Sequence, residues 1–134
     1  MGNPSTRKIA LLRAINVGGN RKVPMAELAA LATGLGLRDV TTYIQSGNLL
    51  CSSSLTPEEV AAALEPALLA RFGFAIDVVV RDAAAWAGYA AGSPFPDAAR
   101  ERPQHLHLVL PRRPPAPGAE ALLRERAAEG EQVA

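Results

Sequence analysis

The order of strand-like and helix-like segments is the feature that most constrains the fold of this chain. The run "KIALLRAIN" is apolar at alternate and intervening positions, as is typical of a strand covered on both faces. Apolar residues recur at helical spacing over residues 25–37 and again over 56–73. Residues 39–53 have the pattern of a β-hairpin, and residues 75–82 form a β-branched run. The predicted order is therefore strand, helix, strand, strand, helix, strand.

This order predicts an α+β fold of the ferredoxin-like, split βαβ type (βαββαβ) over residues 7–82. The long helix has the clearest local signals, because Thr56 and Glu59 form a capping-box pattern and Gly73 suits a helix end. Residues 1–6 are predicted to be a flexible N-terminus.

Residues 83–134 are predicted to form a second, incomplete ferredoxin-like half of α/β character. Asp82 is placed to cap a short helix, and "SPFPDAARERP" is predicted to be a loop. "HLHLVLP" (105–111) alternates like a strand, and a helix is predicted over 119–130. An incomplete half would leave an unpaired sheet edge, through which homo-oligomers can form.

Composition narrows the possible partners. The 134 residues are 49% hydrophobic and carry a net charge of +1, so bulk charge does not favour nucleic-acid binding. The predicted first and third strands also lack the aromatic side chains with which RRM sheets stack bases. No apolar stretch is long enough to span a bilayer and no hydrophobic leader is present, which predicts a cytoplasmic protein without a membrane partner.

Cysteine and histidine offer little chemistry here. Cys51 is the single cysteine and lies in an apolar run, so it is predicted to be a buried thiol with a raised pKa. His105 and His107 share a face of a predicted strand, but no third ligand is obvious near them. The sequence therefore predicts no metal site and no cofactor.

Two glycine-bearing turns are predicted to meet at one end of the sheet. In the split topology the first and third strands are antiparallel neighbours, which places "NVGGNRK" (16–22) beside "QSGN" (45–48). Exposed backbone N–H groups and the positive end of the first helix favour an anion there. The candidate ligand-binding residues are Arg13, Asn16, Gly18, Gly19, Asn20, Arg21, Lys22, Gln45, Ser46, Gly47 and Asn48.

A purely structural interpretation of these residues stays open. Glycines can supply positive φ to tight turns, and turn asparagines bond to local backbone. Arg13 is predicted to lie within the first strand, on the face of Leu11 and Ile15. It is then either a partner in a structural ion pair or a cation directed into a cleft.

Five stretches within residues 8–111 form a recognisable set, namely "LLRxINVGG", the "M-x-x-L" helix, "TYIQSGN", "FGFxxxVVVR" and "SPF". Together they resemble the bacterial family known as domain of unknown function 1697. The resemblance implies a pair of ferredoxin-like halves and no particular reaction. Ala14 stands where the family usually has glycine, and the family's C-terminal Arg, Asn and Trp signature is absent, which predicts a truncated second half.

Three functions fit the sequence. The leading hypothesis is a module that binds an anionic or phosphate-bearing small ligand at the two turns. The first alternative is an acylphosphatase-like hydrolase, with "NVGGNR" and Asn48 around the phosphate, which is an analogy of fold only. The second is a structural or oligomerisation module without a ligand. Whether the protein is an enzyme stays open at this point.

Overall fold

The first part of the chain forms a four-stranded antiparallel sheet with helices packed on one face. The computed structural model describes residues 4–134, and the chain divides into two compact units between Ala91 and Gly92. Residues 1–3 of the predicted flexible N-terminus lie outside the described residues. The first unit contains β1 (Thr6–Leu12), α1 (Met25–Gly34), β2 (Arg38–Tyr43), β3 (Asn48–Ser53), α2 (Pro57–Phe72), β4 (Val78–Asp82) and α3 (Ala83–Ala91).

The strand order in the sheet is β2-β3-β1-β4. Strand β1 is central and pairs antiparallel with both β3 and β4, with Ile9 opposite Leu50 and Lys8 opposite Asp82. The sheet and its two crossover helices confirm the predicted α+β class and the predicted order of elements.

One face of the sheet and the inner stripes of α1 and α2 form the core. Because side chains alternate along a strand, every second residue of β1, β3 and β4 faces the helices. The buried sheet residues are Ala10, Leu12, Leu49, Cys51, Val78 and Val80, and the buried helix residues are Leu28, Ala32, Val60, Leu64 and Leu68.

Local capping fixes the ends of α2 and the start of α3. The Thr56 hydroxyl accepts a hydrogen bond from the Glu59 amide (3.1 Å), and the Glu59 carboxylate accepts one from the Thr56 amide (2.8 Å). Gly73 ends α2 with a φ of +83°. Asp82 caps α3 by accepting a hydrogen bond from the Ala85 amide at 2.8 Å. All three predicted caps are confirmed.

Strand β1 ends earlier than predicted, at Leu12 rather than Asn16. The Arg13 amide still donates to the Asp77 carbonyl (3.0 Å), but Ala14 has a φ of +53° and Asn16 a φ of +54°. These left-handed conformations turn the chain out of the sheet. Arg13 is therefore exposed beyond the strand end, and its predicted position inside an apolar strand is wrong.

The second unit contains α4 (Pro96–Glu101), a 3₁₀ turn (Pro103–His105) and α5 (Ala119–Arg126). The segment predicted as a loop therefore contains a helix. The strand predicted at 105–111 is wrong, since no strand forms within residues 92–134. Alternating hydrophobicity is not sufficient, because a strand also needs a neighbour for its backbone hydrogen bonds. A second, incomplete ferredoxin-like half stays a prediction.

Cys51 is fully buried, as predicted, and desolvation raises the pKa of its thiol, although Arg7 and Lys8 act in the opposite direction. We expect the native protein to react with a thiol-alkylating reagent at least about 100-fold more slowly than the urea-unfolded chain, because the thiolate is the nucleophile and forms only after local opening. Mass spectrometry of timed alkylation measures this. Equal rates would show that the β1–β3 pair opens freely.

Candidate functional site

The structure brings the two predicted turns together at one end of the sheet. The loop after β1 (residues 13–24) meets the β2–β3 turn (residues 44–47). The Asn16 amide nitrogen Nδ2 donates to the Gln45 carbonyl at 2.7 Å, and the Leu12 backbone N–H donates to the Gly47 carbonyl at 2.9 Å. The predicted adjacency of these turns is therefore present.

Asn16 closes the loop. Besides Gln45, Nδ2 donates to the Val23 carbonyl (3.0 Å), and Oδ1 accepts from the Val23 amide (2.8 Å). A side-chain amide has two N–H donors, so both are used. The Asn16 side chain therefore bonds to backbone groups, which was the structural alternative for this residue.

Gly18 and Gly19 form the tip of a tight turn. Val17 and Asn20 flank it as an isolated bridge pair, and the Asn20 amide donates to the Val17 carbonyl at 3.0 Å. The glycine φ angles are +57° and +78°. Positive φ at both central residues is the signature of a type I′ turn, which glycine adopts without strain. Turn geometry therefore explains this glycine pair without a ligand.

Arg21 is held in one place by three contacts. Its Nε donates to the Ala14 carbonyl (2.7 Å) and its Nη2 to the Ala75 carbonyl (2.8 Å). The guanidinium carbon lies 4.6 Å from the centre of the Phe74 ring, a cation–π distance. Arg21 thus joins the loop to the chain that enters β4, while its charge stays exposed.

Two further cations and the start of α1 complete this end of the sheet. Arg13 and Lys22 are exposed, and their side chains form no hydrogen bond or ion pair within residues 4–134. Pro24 is the N-cap of α1 and provides no side-chain hydrogen bond to the first turn. Backbone N–H groups at such a helix start carry partial positive charge.

The β2–β3 turn offers fewer free polar groups to the candidate site than the sequence predicts. Asn48 Nδ2 donates to the Tyr43 carbonyl (3.0 Å) and the Ser46 hydroxyl (3.3 Å), so both of its donors serve its own turn. Gly47 is buried with a φ of +94° and packs against Ile15. Gln45 and Ser46 remain as exposed polar side chains beside the loop.

A groove that the sequence did not predict lies on the opposite face of the sheet. We name this face, which α1 and α2 leave uncovered, the open sheet face. The groove has a volume of about 460 Å³ and is lined by Ile9, Leu11, Thr41, Thr42, Tyr43, Asn48, Leu50 and Trp86. Ile9 and Leu11 give β1 a second apolar face, which is visible in the sequence. The sequence predicts that this face is covered, whereas the structure leaves a groove there.

Lys8 is a second residue that the sequence did not single out. It is only 3% exposed, on the core face beside Cys51. Its ammonium donates to the Thr6 hydroxyl (2.5 Å) and the Ser53 carbonyl (3.0 Å). Lysine is rarely buried to this degree, and strand alternation alone does not identify which lysine is enclosed.

Comparison with known proteins places the chain in a family. Residues 5–134 match the family described as "Protein of unknown function (DUF1697)". The chain belongs to the DUF1697 family. The solved structure of conserved bacterial protein SP0830 from Streptococcus pneumoniae is similar, with 33% sequence identity and a TM-score of 0.62. The match covers 68% of this chain and 51% of SP0830, so this chain spans about half of that relative.

No curated protein matches this DUF1697 chain. Across residues 4–134, no helix has both the length and the apolar composition needed to cross a bilayer. The same residues contain no group of three or more His, Cys, Asp or Glu side chains arranged for a metal ion.

Ala14 has a φ of +53°, a left-handed conformation that glycine adopts without strain. A left-handed conformation strains any residue with a Cβ, so we expect Ala14→Gly to stabilise the chain by about 1 kcal/mol. Urea unfolding followed by circular dichroism measures this. The matched control is Ala62→Gly, an exposed position inside α2, which should destabilise by about 1 kcal/mol. Effects of the same sign would contradict the prediction.

Proposed function

We propose that this DUF1697 chain binds an anionic, phosphate-bearing small molecule where the loop after β1 meets the β2–β3 turn. The observation that carries the proposal is the fixed guanidinium of Arg21, held by the Ala14 and Ala75 carbonyls and the Phe74 ring. It forms no ion pair with a carboxylate within residues 4–134. Because the side chain is already ordered, little conformational entropy is lost when an anion binds.

The charge around Arg21 supports the same ligand class. Residues 13–22 hold three cations and no acidic side chain. Arg13 and Lys22 are exposed and form no side-chain hydrogen bond within residues 4–134, and the first turn of α1 has no side-chain cap. Exposed cations and helix N–H groups suit phosphate oxygens, which accept several hydrogen bonds at once.

The hydrolase alternative has less support. An acylphosphatase-like site would need the Asn48 amide and the Arg21 guanidinium to face one phosphate. Both Asn48 donors are used within its own turn, and Arg21 uses two of its donors on backbone carbonyls. Hydrolysis of an acyl phosphate is therefore the second activity to assay and not the leading proposal.

An amide-resolved NMR titration with inorganic phosphate and with a nucleoside triphosphate, at constant ionic strength, tests the proposal. We expect saturable shifts confined to the amides of the loop and the first turn of α1, including Gly19, Lys22 and Met25. Lys22→Gln should weaken binding several-fold. Arg126→Gln, an exposed cation in α5, is the matched control and should leave the affinity unchanged. A dispersed spectrum without saturable shifts at these amides would overturn the proposal.

A further inference from the structure

The strand register arranges the open sheet face in rows. Arg38, Ser52 and Arg7 lie opposite one another across β2, β3 and β1. The next two rows have an apolar centre with polar or aromatic side chains around it, and consist of Thr41, Leu50, Ile9 and Arg81, then Tyr43, Asn48, Leu11 and Val79. A row of cations therefore borders an apolar surface on one face of the sheet.

Two hydrogen bonds hold Arg7 in place, and neither arginine of the cationic row has an acidic partner within residues 4–134. Arg7 Nη1 donates to the Asp39 carbonyl (2.8 Å) and to the Ser52 hydroxyl (3.3 Å), so its guanidinium lies across β3 toward β2. Neither Arg7 nor Arg38 forms an ion pair with a carboxylate in the described chain, residues 4–134. Both side chains are exposed, so their charge is available at the border of the groove.

The groove itself suits a narrow apolar chain. Its floor is made by Ile9, Leu11 and Leu50, and Trp86 of α3 and Tyr43 of β2 line it as well. The four steps along β1 from Arg7 to Leu11 span about 14 Å at a rise of about 3.4 Å per residue. A volume of about 460 Å³ falls within the usual range of small-molecule sites.

We propose that the open sheet face binds an aliphatic carboxylate, with the alkyl chain in the groove and the carboxylate on Arg7 and Arg38. Charge complementarity favours this occupant, because a carboxylate can accept hydrogen bonds from the two exposed guanidinium groups, whereas a neutral chain lacks this attraction and a cationic one is repelled. Guanidinium groups bind carboxylates through charge-assisted hydrogen bonds. This site is separate from the proposed phosphate site, since Arg7 lies at the opposite end of β1 from the loop at residues 13–24.

Trp86 makes the test direct, because it is the single tryptophan of the chain and lines the groove. Its emission is followed while decanoate is added to the full chain, below the concentration at which decanoate forms micelles. We expect a saturable change with decanoate and about tenfold weaker binding of decanol, which lacks the charge. Decyltrimethylammonium should bind no better than decanol.

Variants of the protein distinguish binding of the carboxylate from binding of the alkyl chain. Arg7→Gln should weaken decanoate binding about tenfold and leave decanol binding unchanged. Leu50→Ser should weaken both ligands, with circular dichroism confirming that the variant is folded. Lys22→Gln is the control that should change the affinity for neither decyl compound, whereas it should weaken phosphate binding at the loop after β1.

Three outcomes would overturn this inference. Equal affinity for the three decyl compounds would show that Arg7 and Arg38 do not select the ligand. Binding only to vesicles of anionic phospholipid, with none to free decanoate, would assign the face to a membrane. A concentration-dependent dimer in sedimentation that changes Trp86 emission without ligand would assign it to a second copy of the chain.

Discussion

Gly47→Ala is expected to lower the free energy of unfolding by about 3 kcal/mol, from the strain of positive φ and the overpacking together. The backbone φ at Gly47 is +94°, where an L side chain is strained. An added Cβ would also lie 2.7 Å from Ile15 Cδ1 and 3.0 Å from Leu12 Cβ. Both neighbours are buried in the core, and the Leu12 Cβ is fixed by the backbone of β1, so the strand itself would have to move.

Urea unfolding monitored by far-ultraviolet circular dichroism measures this loss. Gly19→Ala is the matched control, because Gly19 has a φ of +78° but no atom within 4 Å of an added Cβ. It should lose only about 1 kcal/mol, the cost of the backbone conformation alone. If both variants lose the same stability, the contact with Ile15 and Leu12 does not contribute and the explanation fails.

Asn16→Ala is expected to lower the free energy of unfolding by a similar amount, about 3 kcal/mol. The variant removes three hydrogen bonds between the Asn16 side chain and the backbone of Val23 and Gln45. Val23 is 1% exposed, so its amide and carbonyl lose partners in a place with little access to water. The φ of +54° adds to the cost, since alanine tolerates this conformation less well than asparagine.

Two asparagine variants of the same loop sharpen this test. Asn20→Ala changes an exposed side chain that forms no hydrogen bond within the described residues, and should alter stability by at most about 0.5 kcal/mol. Asn16→Asp keeps the acceptor for the Val23 amide and loses both donors, so its stability should be intermediate. A loss for Asn16→Ala no larger than that for Asn20→Ala would show that the loop closes without this clamp.

The elements that the sequence predicted well have signals confined to neighbouring residues. The helix α2 follows from the reciprocal bonds of Thr56 and Glu59 and from Gly73, all visible in the sequence. The end of β1 was missed because it depends on distant contacts. Ala14 and Asn16 adopt left-handed conformations, and Asn16 is held by Gln45 from another turn. The prediction of a strand at 105–111 was wrong for a related reason, because the partners with which a strand pairs are not local in the sequence.

For the candidate site, the sequence predicted which segments meet but not what their side chains do. Antiparallel topology was sufficient to place the two turns together. It did not indicate that Asn16, Arg21 and Asn48 bind mainly backbone oxygens, because the same polar residues suit a ligand equally well. The groove on the open sheet face depends on where α3 packs against β1 and β4, a tertiary contact without a local signal.

The central place of β1 in the sheet has a consequence for the order of folding. The β2–β3 hairpin can pair as soon as it is synthesised, because its strands are joined by a short turn. Strand β1 must wait, since Lys8 pairs with Asp82 across more than half of the chain. Such non-local pairing slows folding, because a long loop has to close before its contacts form. A nascent chain therefore carries an apolar strand without its full set of partners until β4 has left the ribosome, and such an unpaired strand edge is prone to aggregation.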